Sequence, residues 1–130
     1  ERRMEINGLE TSYISDVLSR LREFARQSQV EVWLVAHPTK LRRSLDGKYP
    51  IPTPYDISGS AHFYAKADRC LAIHRDPDLD ENIVEVHVQK MRFSHLGRKG
   101  VADFLFDQST GALSPLGWRA PGVQRGGGLS

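Results

Sequence analysis

The chain has 130 residues, of which 39% are apolar and 26% charged, and its formal net charge at neutral pH is +2. These values are typical of one globular domain and exclude a disordered chain. The single cysteine excludes an intramolecular disulfide and a multi-cysteine zinc site, and favours a reducing compartment. No apolar run reaches the about 20 residues that a membrane-spanning helix needs.

An amphipathic helix is predicted over residues 11–27, where Ile14, Leu18 and Leu21 recur at helical spacing. The apolar segment 30–36 follows and is typical of a buried strand, because β-branched and aromatic side chains dominate it. A helix followed directly by such a strand is half of a βαβ unit. The pattern therefore favours an α/β fold.

The next segment, residues 37–55, is a long polar loop with four prolines. Loops of this length inside a compact domain are usually functional or disordered. A short helix is predicted over residues 58–67. Three strands are then predicted at residues 69–75, 83–91 and 101–107, and a hairpin loop joins the last two.

Residues 114–130 differ in composition from everything before them. Glycine and proline dominate this segment, and it shows little periodicity. Such a composition is typical of a flexible tail. We therefore divide the chain into a partial domain over residues 1–113 and a Gly/Pro-rich tail over residues 114–130.

The small net charge conceals two basic segments. Residues 37–53 carry a net charge of +3 and residues 86–100 a net charge of +4. An acidic patch lies between them, formed by Asp76, Asp78, Asp80 and Glu81. This distribution fits either a nucleic-acid footprint or ordinary solvated loops, and charge alone does not decide between them.

Three polar residues stand where an α/β sheet would place chemistry. His37 ends the first predicted strand, and open α/β sheets bind ligands at the carboxyl ends of strands. The alternative is a histidine that only caps a strand edge. Lys90 and Arg92 share one face of the third predicted strand, where two cations can address one polyphosphate and Arg92 can serve as a finger on a neighbouring subunit's nucleotide. The alternative is a basic strand end exposed to water.

Two further candidates lie at the ends of predicted elements. Arg75 and Phe106 end the second and fourth strands, and a guanidinium brought to a ring could sandwich a flat base, although a strand phenylalanine more often belongs to the core. Asp56 precedes residues 58–60, whose backbone N–H groups form a modest anion-binding feature; turn chemistry is the alternative. No metal site is predicted, because the five histidines are scattered.

The order of these motifs resembles the C-terminal half of the RecA-like motor of DnaB-like hexameric helicases, and most of all the phage-type and Twinkle-like primase–helicases. The similarity extends over residues 10–113 and consists of strand–His, long loop, D-x-x-G-S, strand–Arg, K-x-R hairpin and F-x-x-x-T-G. It implies the C-terminal half of a RecA-like P-loop NTPase domain, with a mixed sheet and a terminal β-hairpin.

The resemblance also implies roles for the candidate residues. His37 would sense the γ-phosphate. Lys90 and Arg92 would reach the γ-phosphate bound by the adjacent subunit. Arg75 and Phe106 would stack the nucleotide base, with phenylalanine in place of the more usual tyrosine.

A second set of implied roles concerns single-stranded DNA. The loop over residues 38–55 would line the central channel of a ring, and residues of the loop and of the motif after it would contact the strand: Lys40, Arg42, Arg43, Lys48, Asp56, Gly59 and Ser60. One departure from the family is Ala65, which stands where a glutamine is frequent.

The implied cofactors are ATP and Mg²⁺, and the implied partners are single-stranded DNA and further copies of the chain in a hexameric ring, with no membrane. The expected location is the cytoplasm of a bacterial or phage-infected cell, with the mitochondrial matrix as the alternative. The sequence has no GxxxxGK[ST] loop. We therefore expect the phosphate loop and the magnesium ligands upstream, and an inactive chain without them.

Two other hypotheses remain open at this point. The first is a non-catalytic RecA-like module that binds DNA or mediates recombination. The second is an α/β domain that binds no nucleotide.

Overall fold

The computed structural model describes residues 2–58, 60–76 and 82–125, without the side chains of residues 2–7 and 60. The helices and strands are α1 (Arg2–Ser28), α2 (Ser60–Lys66), β1 (Arg69–His74), β2 (Ile83–Met91), β3 (Gly100–Phe106) and β4 (Leu113–Arg119). Short 3-10 turns lie at Pro54–Asp56 and Ser94–Leu96. The chain divides into two compact units. The first comprises residues 1–43 and 52–67 and holds both helices, and the second comprises residues 44–51 and 68–130 and holds the sheet.

The first unit is built on α1, which begins earlier than predicted and ends where the sequence indicates. Gln29 adopts a left-handed conformation (φ 54°), and the Val30 amide donates to the Ala25 carbonyl at 3.1 Å. This is the usual way to satisfy the last carbonyls of a helix. The Lys66 ammonium of α2 donates to the Ser19 hydroxyl of α1. No helix among the described residues is long and apolar enough to cross a bilayer.

The predicted strand over residues 30–36 is wrong for this structure. The segment is extended but forms no ladder, and Trp33 and Val35 are 70% and 86% exposed. Its residue types fit a pleated, half-buried surface, but a strand also needs a hydrogen-bonding neighbour. Within the described ranges every paired strand lies between residues 69 and 119.

The second unit is a four-stranded sheet in the order β1-β2-β3-β4, and each neighbouring pair is antiparallel. All three strands predicted downstream of residue 67 are confirmed, to within one residue at each end. The prediction of a mixed sheet is wrong for the described part of the chain. The reason is connection length, because short links join sequential strands as hairpins and parallel pairs need long crossovers.

The core of the described residues lies in this sheet. Cys70, Ala72, Ile83, Val84 and Val101 are buried. Burial raises the pKa of the Cys70 thiol, against an opposing effect of the Lys90 charge. The thiol is therefore protonated at neutral pH and packs as a small apolar group.

The predicted tail begins with a strand. Leu113–Arg119 forms β4, which pairs with β3, so the expectation of a flexible segment is wrong for residues 114–119. Pro115 sits where the register shifts, opposite Phe104, on the edge of the sheet. Edge strands and bulges are the places where a sheet tolerates a residue without an N–H. Residues 126–130 of the predicted tail lie outside the described residues.

A cluster of two carboxylates and two guanidinium groups, named here the ion cluster, holds β4 and the segment after it on the sheet. Its members are Glu85, Asp103, Arg119 and Arg125. The carboxylates face each other across β2 and β3, an arrangement that repels unless cations intervene. Arg119 Nε donates to Asp103 at 2.9 Å and its Nη2 donates to Glu85, while Arg125 Nη2 lies 2.9 Å from Glu85.

The buried member of the ion cluster is Asp103, which is only 7% exposed. The hydrogen bonds from Arg119 hold the pKa of the Asp103 carboxyl below its ordinary value, although burial opposes this effect. A carboxyl whose pKa is lowered on folding stabilises the fold above its unfolded pKa. That contribution disappears as the pH falls through its folded pKa.

The Asp103→Asn variant tests this coupling of charge to stability. It should lower the free energy of unfolding by on the order of 3 kcal/mol at neutral pH, because it leaves a half-buried guanidinium with one carboxylate fewer. The difference from the wild type should shrink as the pH falls below the ordinary carboxyl pKa of about 4. Urea unfolding at several pH values measures it, with the exposed Asp16→Asn as control. A difference that does not change with pH would contradict the prediction.

A pair of glycine substitutions tests the packing of β4 on β3. A Cβ added at Gly100 would lie 2.3 Å from Cζ2 of Trp118 and 2.8 Å from the Arg119 carbonyl, whereas a Cβ at Gly117 meets nothing within 4 Å. Gly100→Ala should therefore lower the free energy of unfolding by about 1–3 kcal/mol, the usual cost of overpacking. Gly117→Ala should leave it unchanged or raise it slightly. Equal effects of the two substitutions in urea unfolding would be inconsistent with this packing.

Candidate nucleotide and nucleic-acid site

The basic loop over residues 37–53 is closed at its base. The Thr39 amide donates to the Asp56 carbonyl at 2.6 Å, and the Thr39 hydroxyl donates to the same oxygen at 2.8 Å. Two donors on one acceptor fix the start of the loop against the turn that follows it. The loop is therefore anchored although it has no helix or strand of its own.

A tight turn forms the middle of the loop. The Ser44 amide donates to the Lys48 carbonyl at 2.9 Å, and Gly47 adopts a positive φ of 80°. The Ser44 hydroxyl and the Lys48 amide hydrogen-bond to Asp46 and hold the pKa of its carboxyl below the ordinary value. The one acid of the loop thus has local partners, and Leu45 beside it is fully exposed.

The four cations predicted to contact DNA are all exposed. Lys40, Arg42 and Arg43 belong to the first unit, and Lys48 belongs to the second. Exposed cations on a loop are suited to phosphate contacts, which carry little sequence information. Their role in DNA binding stays a prediction.

Asp56 has a structural role in this loop. Its carboxylate accepts hydrogen bonds from the Thr53 amide at 2.6 Å and from the Thr53 hydroxyl at 2.9 Å, and its own amide donates to the Thr53 carbonyl at 3.0 Å. The turn chemistry considered as an alternative is therefore present. Gly59 and the side chain of Ser60, the other members of the D-x-x-G-S motif, lie outside the described residues.

The three predicted phosphate-contacting residues divide between the units. His37 is exposed in the first unit, and because residues 30–36 form no ladder it does not end a strand. Lys90 and Arg92 belong to the second unit, where Lys90 pairs with Cys70 near the end of β2 and Arg92 lies just past Met91. The structure therefore brings together two of the three.

Arg92 is held by Asp68, a residue that sequence reasoning missed. Arg92 Nη1 lies 2.8 Å from Asp68 Oδ1, and the Arg92 amide donates to the Asp68 carbonyl at 2.9 Å. The Arg92 side chain is 24% exposed and the Asp68 side chain 50%. The sequence does place an acidic residue directly before a predicted strand. Its contact with Arg92 depends on the register that pairs Arg69 with Met91, which the sequence does not show.

Arg75 and Phe106, which lie at the ends of two predicted strands, are in contact. The Arg75 guanidinium carbon lies 5.1 Å from the centre of the Phe106 ring. Beside the ring is an open cleft of about 730 Å³, in which the Gln108 amide donates to Asn82 Oδ1 at 2.9 Å. The two amides were also missed by sequence reasoning, since residues 26 apart gave no signal of contact. An aromatic face next to amide groups can accommodate a flat, hydrogen-bonding ring.

The described residues hold no group of three or more His, Cys, Asp and Glu side chains that is placed to bind a metal ion. The pairing of His87 with Glu85, at 3.0 Å, belongs to the surroundings of the ion cluster.

Comparison with known proteins adds one relative. No family model and no solved structure matches the chain. The chain is 37% identical over 108 residues to the "Twinkle homolog protein, chloroplastic/mitochondrial" of Arabidopsis thaliana. The match covers 81% of this chain and 15% of that protein, so the chain spans less than a sixth of the relative's length. The organelles in that name differ from the bacterial or phage setting expected from the sequence. The similarity supports a relation of this chain to Twinkle-like proteins.

Proposed function

We propose that this chain is the C-terminal part of a RecA-like motor domain in an ATP-driven, hexameric DNA helicase. In this proposal it contributes the phosphate-facing cations, the base-stacking pair and a loop that binds single-stranded DNA. The contact of Arg75 with Phe106 at 5.1 Å carries the proposal, because the resemblance pairs these two residues although they are far apart in the sequence. The 37% identity to the Twinkle homolog supports the same conclusion.

We propose that an adenine base stacks against this pair after one rearrangement. A base held between two planes needs a gap of about 7 Å, twice the optimal carbon–carbon separation. The guanidinium lies 5.1 Å from the ring centre and leaves no such gap. The base must therefore stack on an outer face of the pair, or the exposed Arg75 must move outward. Asn82 and Gln108 then lie where a base edge needs donors and acceptors.

Arg92 is suited to act on a nucleotide bound by an adjacent subunit. Its planar guanidinium keeps its charge and can donate two parallel hydrogen bonds to phosphate oxygens. Asp68 holds it near the end of β2 through an ion pair that is partly exposed. Such pairs contribute little to stability, so a phosphate that develops charge can replace Asp68 at small cost. Lys90 is proposed to approach the same γ-phosphate as Arg92, and His37 is proposed to sense a γ-phosphate and couple it to the DNA-binding loop.

ATP supplies the phosphoryl group that passes to water, and the protein's contribution is positioning and charge neutralisation. The anchored loop over residues 37–53 is proposed to transmit the effect of ATP hydrolysis to single-stranded DNA. Thr39, two residues after His37, donates hydrogen bonds to the Asp56 carbonyl at the base of the loop. A displacement near His37 therefore acts directly on the loop. Its exposed cations would follow the phosphate backbone.

Substitution of Arg92 tests the finger. In an assembled ring that also contains a phosphate loop, Arg92→Ala should lower DNA-stimulated ATP hydrolysis by about 10³-fold and leave ATP binding intact, because fingers stabilise the transition state. Steady-state kinetics with a separate nucleotide-binding assay measures both. Asp68→Asn is the control for the ion pair, since it breaks the same contact but keeps the guanidinium. Wild-type turnover by Arg92→Ala would exclude the finger.

Substitution of Phe106 tests the base-stacking pair. Phe106→Ala should raise the KM for ATP about tenfold with little change in kcat, because a lost aromatic contact weakens base binding by roughly 1 kcal/mol. Phe106→Tyr should keep the wild-type KM. Inhibition by inorganic triphosphate, which has no base, should be the same in all three proteins. An equal loss of affinity for triphosphate and for ATP would indicate a general structural effect.

A further inference from the structure

A second pair of guanidinium and ring lies on the same sheet, and it consists of residues to which no role is assigned above. The Arg98 guanidinium carbon is 3.8 Å from the centre of a Trp118 ring, which is the distance of direct stacking. Arg98 lies in the connection between β2 and β3, and Trp118 lies on the edge strand β4. Neither residue stood out in the sequence.

The Trp118 ring is fixed in place but is not part of the core. Its Cζ2 and Cε2 atoms lie so close to Gly100 that an added Cβ would be 2.3 and 2.6 Å away. The residue nevertheless remains 43% exposed. A large aromatic side chain that the backbone orients and the core does not cover is a preformed surface for another flat ring.

The segment that contains Arg98 has a net positive charge. Residues 86–100 contain Lys90, Arg92, Arg98 and Lys99 and no acid. Arg98 and Lys99 are both exposed. A guanidinium that lies flat on a ring keeps its N–H donors at the rim, where they can reach phosphate oxygens while its free face stacks on a base.

We propose that Arg98 and Trp118 form a stacking platform for one unpaired base of a single-stranded nucleic acid, with Lys99 beside it for the adjacent phosphate. Stacking on an aromatic side chain next to a basic surface is the usual way in which proteins hold single strands without reading their sequence. The choice of a nucleic-acid strand rests in part on the proposed function. The platform itself is distinct from the Arg75–Phe106 pair and from the basic loop over residues 37–53.

Tryptophan fluorescence of the full 130-residue chain tests the proposal. In a Trp33→Phe background Trp118 is the remaining tryptophan, since the chain has two. An oligothymidylate should quench its emission, and an oligonucleotide of the same length with abasic sites should not. Anisotropy of a labelled oligothymidylate should show about tenfold weaker binding by Arg98→Ala and by Trp118→Leu. Arg22→Ala, which removes an exposed cation from α1, should change binding by less than twofold.

A double-mutant cycle separates the platform from a general loss of charge or of fold. Arg98→Ala should have no further effect in the Trp118→Leu background, and Trp118→Phe, which keeps a ring, should retain most of the affinity. Circular dichroism verifies that each variant is folded. Equal binding of the abasic strand, or equal losses with Arg98→Ala and Arg22→Ala, would overturn the proposal. This result does not depend on ATP hydrolysis. If an oligothymidylate quenches Trp118 while the Arg92 and Phe106 substitutions leave ATP hydrolysis and its KM unchanged, the platform is supported and the motor roles proposed for those two residues are rejected.

Discussion

The second unit depends on the neutralisation of two carboxylates that its own register places opposite each other. Glu85 on β2 and Asp103 on β3 would repel across the ladder without a cation between them. Arg119 donates to both and thereby ties β4 to the two central strands. This contact adds to the β3–β4 ladder, whose six residue pairs are interrupted by a register shift, and to the packing of Trp118 against Gly100. The Trp118 ring is placed by that strand.

The antiparallel meander explains which functional residues meet. Hairpin pairing of β1 with β2 places Asp68 and Arg92 beside each other at one end of the ladder. The pairing of β1 with β2 and of β2 with β3 also brings Arg75, just beyond β1, next to Phe106 at the end of β3. A one-residue slip in either ladder would turn these side chains to the opposite face. The register of these two ladders therefore determines which residues of the second unit lie together in the candidate site.

Sequence reasoning succeeded where the signal was local. Alternation in residues 83–91 identified β2 with its ends, and the other two strands predicted after residue 67 were located to within one residue. It failed for residues 30–36, which have no strand neighbour among the described residues, and for β4, whose proline and glycine hide its pattern although its partner β3 directly precedes it. An apolar segment becomes a strand only if a neighbour offers its backbone. β4 lacks a clear pattern, but Arg119 finds its carboxylates 16 and 34 residues away.

Three arginines of the sheet share one property that matters for ligand binding. Arg92 is ordered by Asp68, while Arg75 and Arg98 each lie on an aromatic ring. Ordering a long side chain before a ligand arrives reduces the entropy lost on binding. The two kinds of partner affect phosphate binding differently. A carboxylate competes with phosphate for the same N–H donors of the arginine, whereas an aromatic ring leaves those donors available. In the proposed function, a phosphate that binds the same Nη1 group would compete with Asp68, which would make that contact responsive to charge that develops during a reaction. In the proposed platform, Arg98 can bind a nucleic-acid strand while it stays stacked on Trp118, which suits binding that does not change during a reaction.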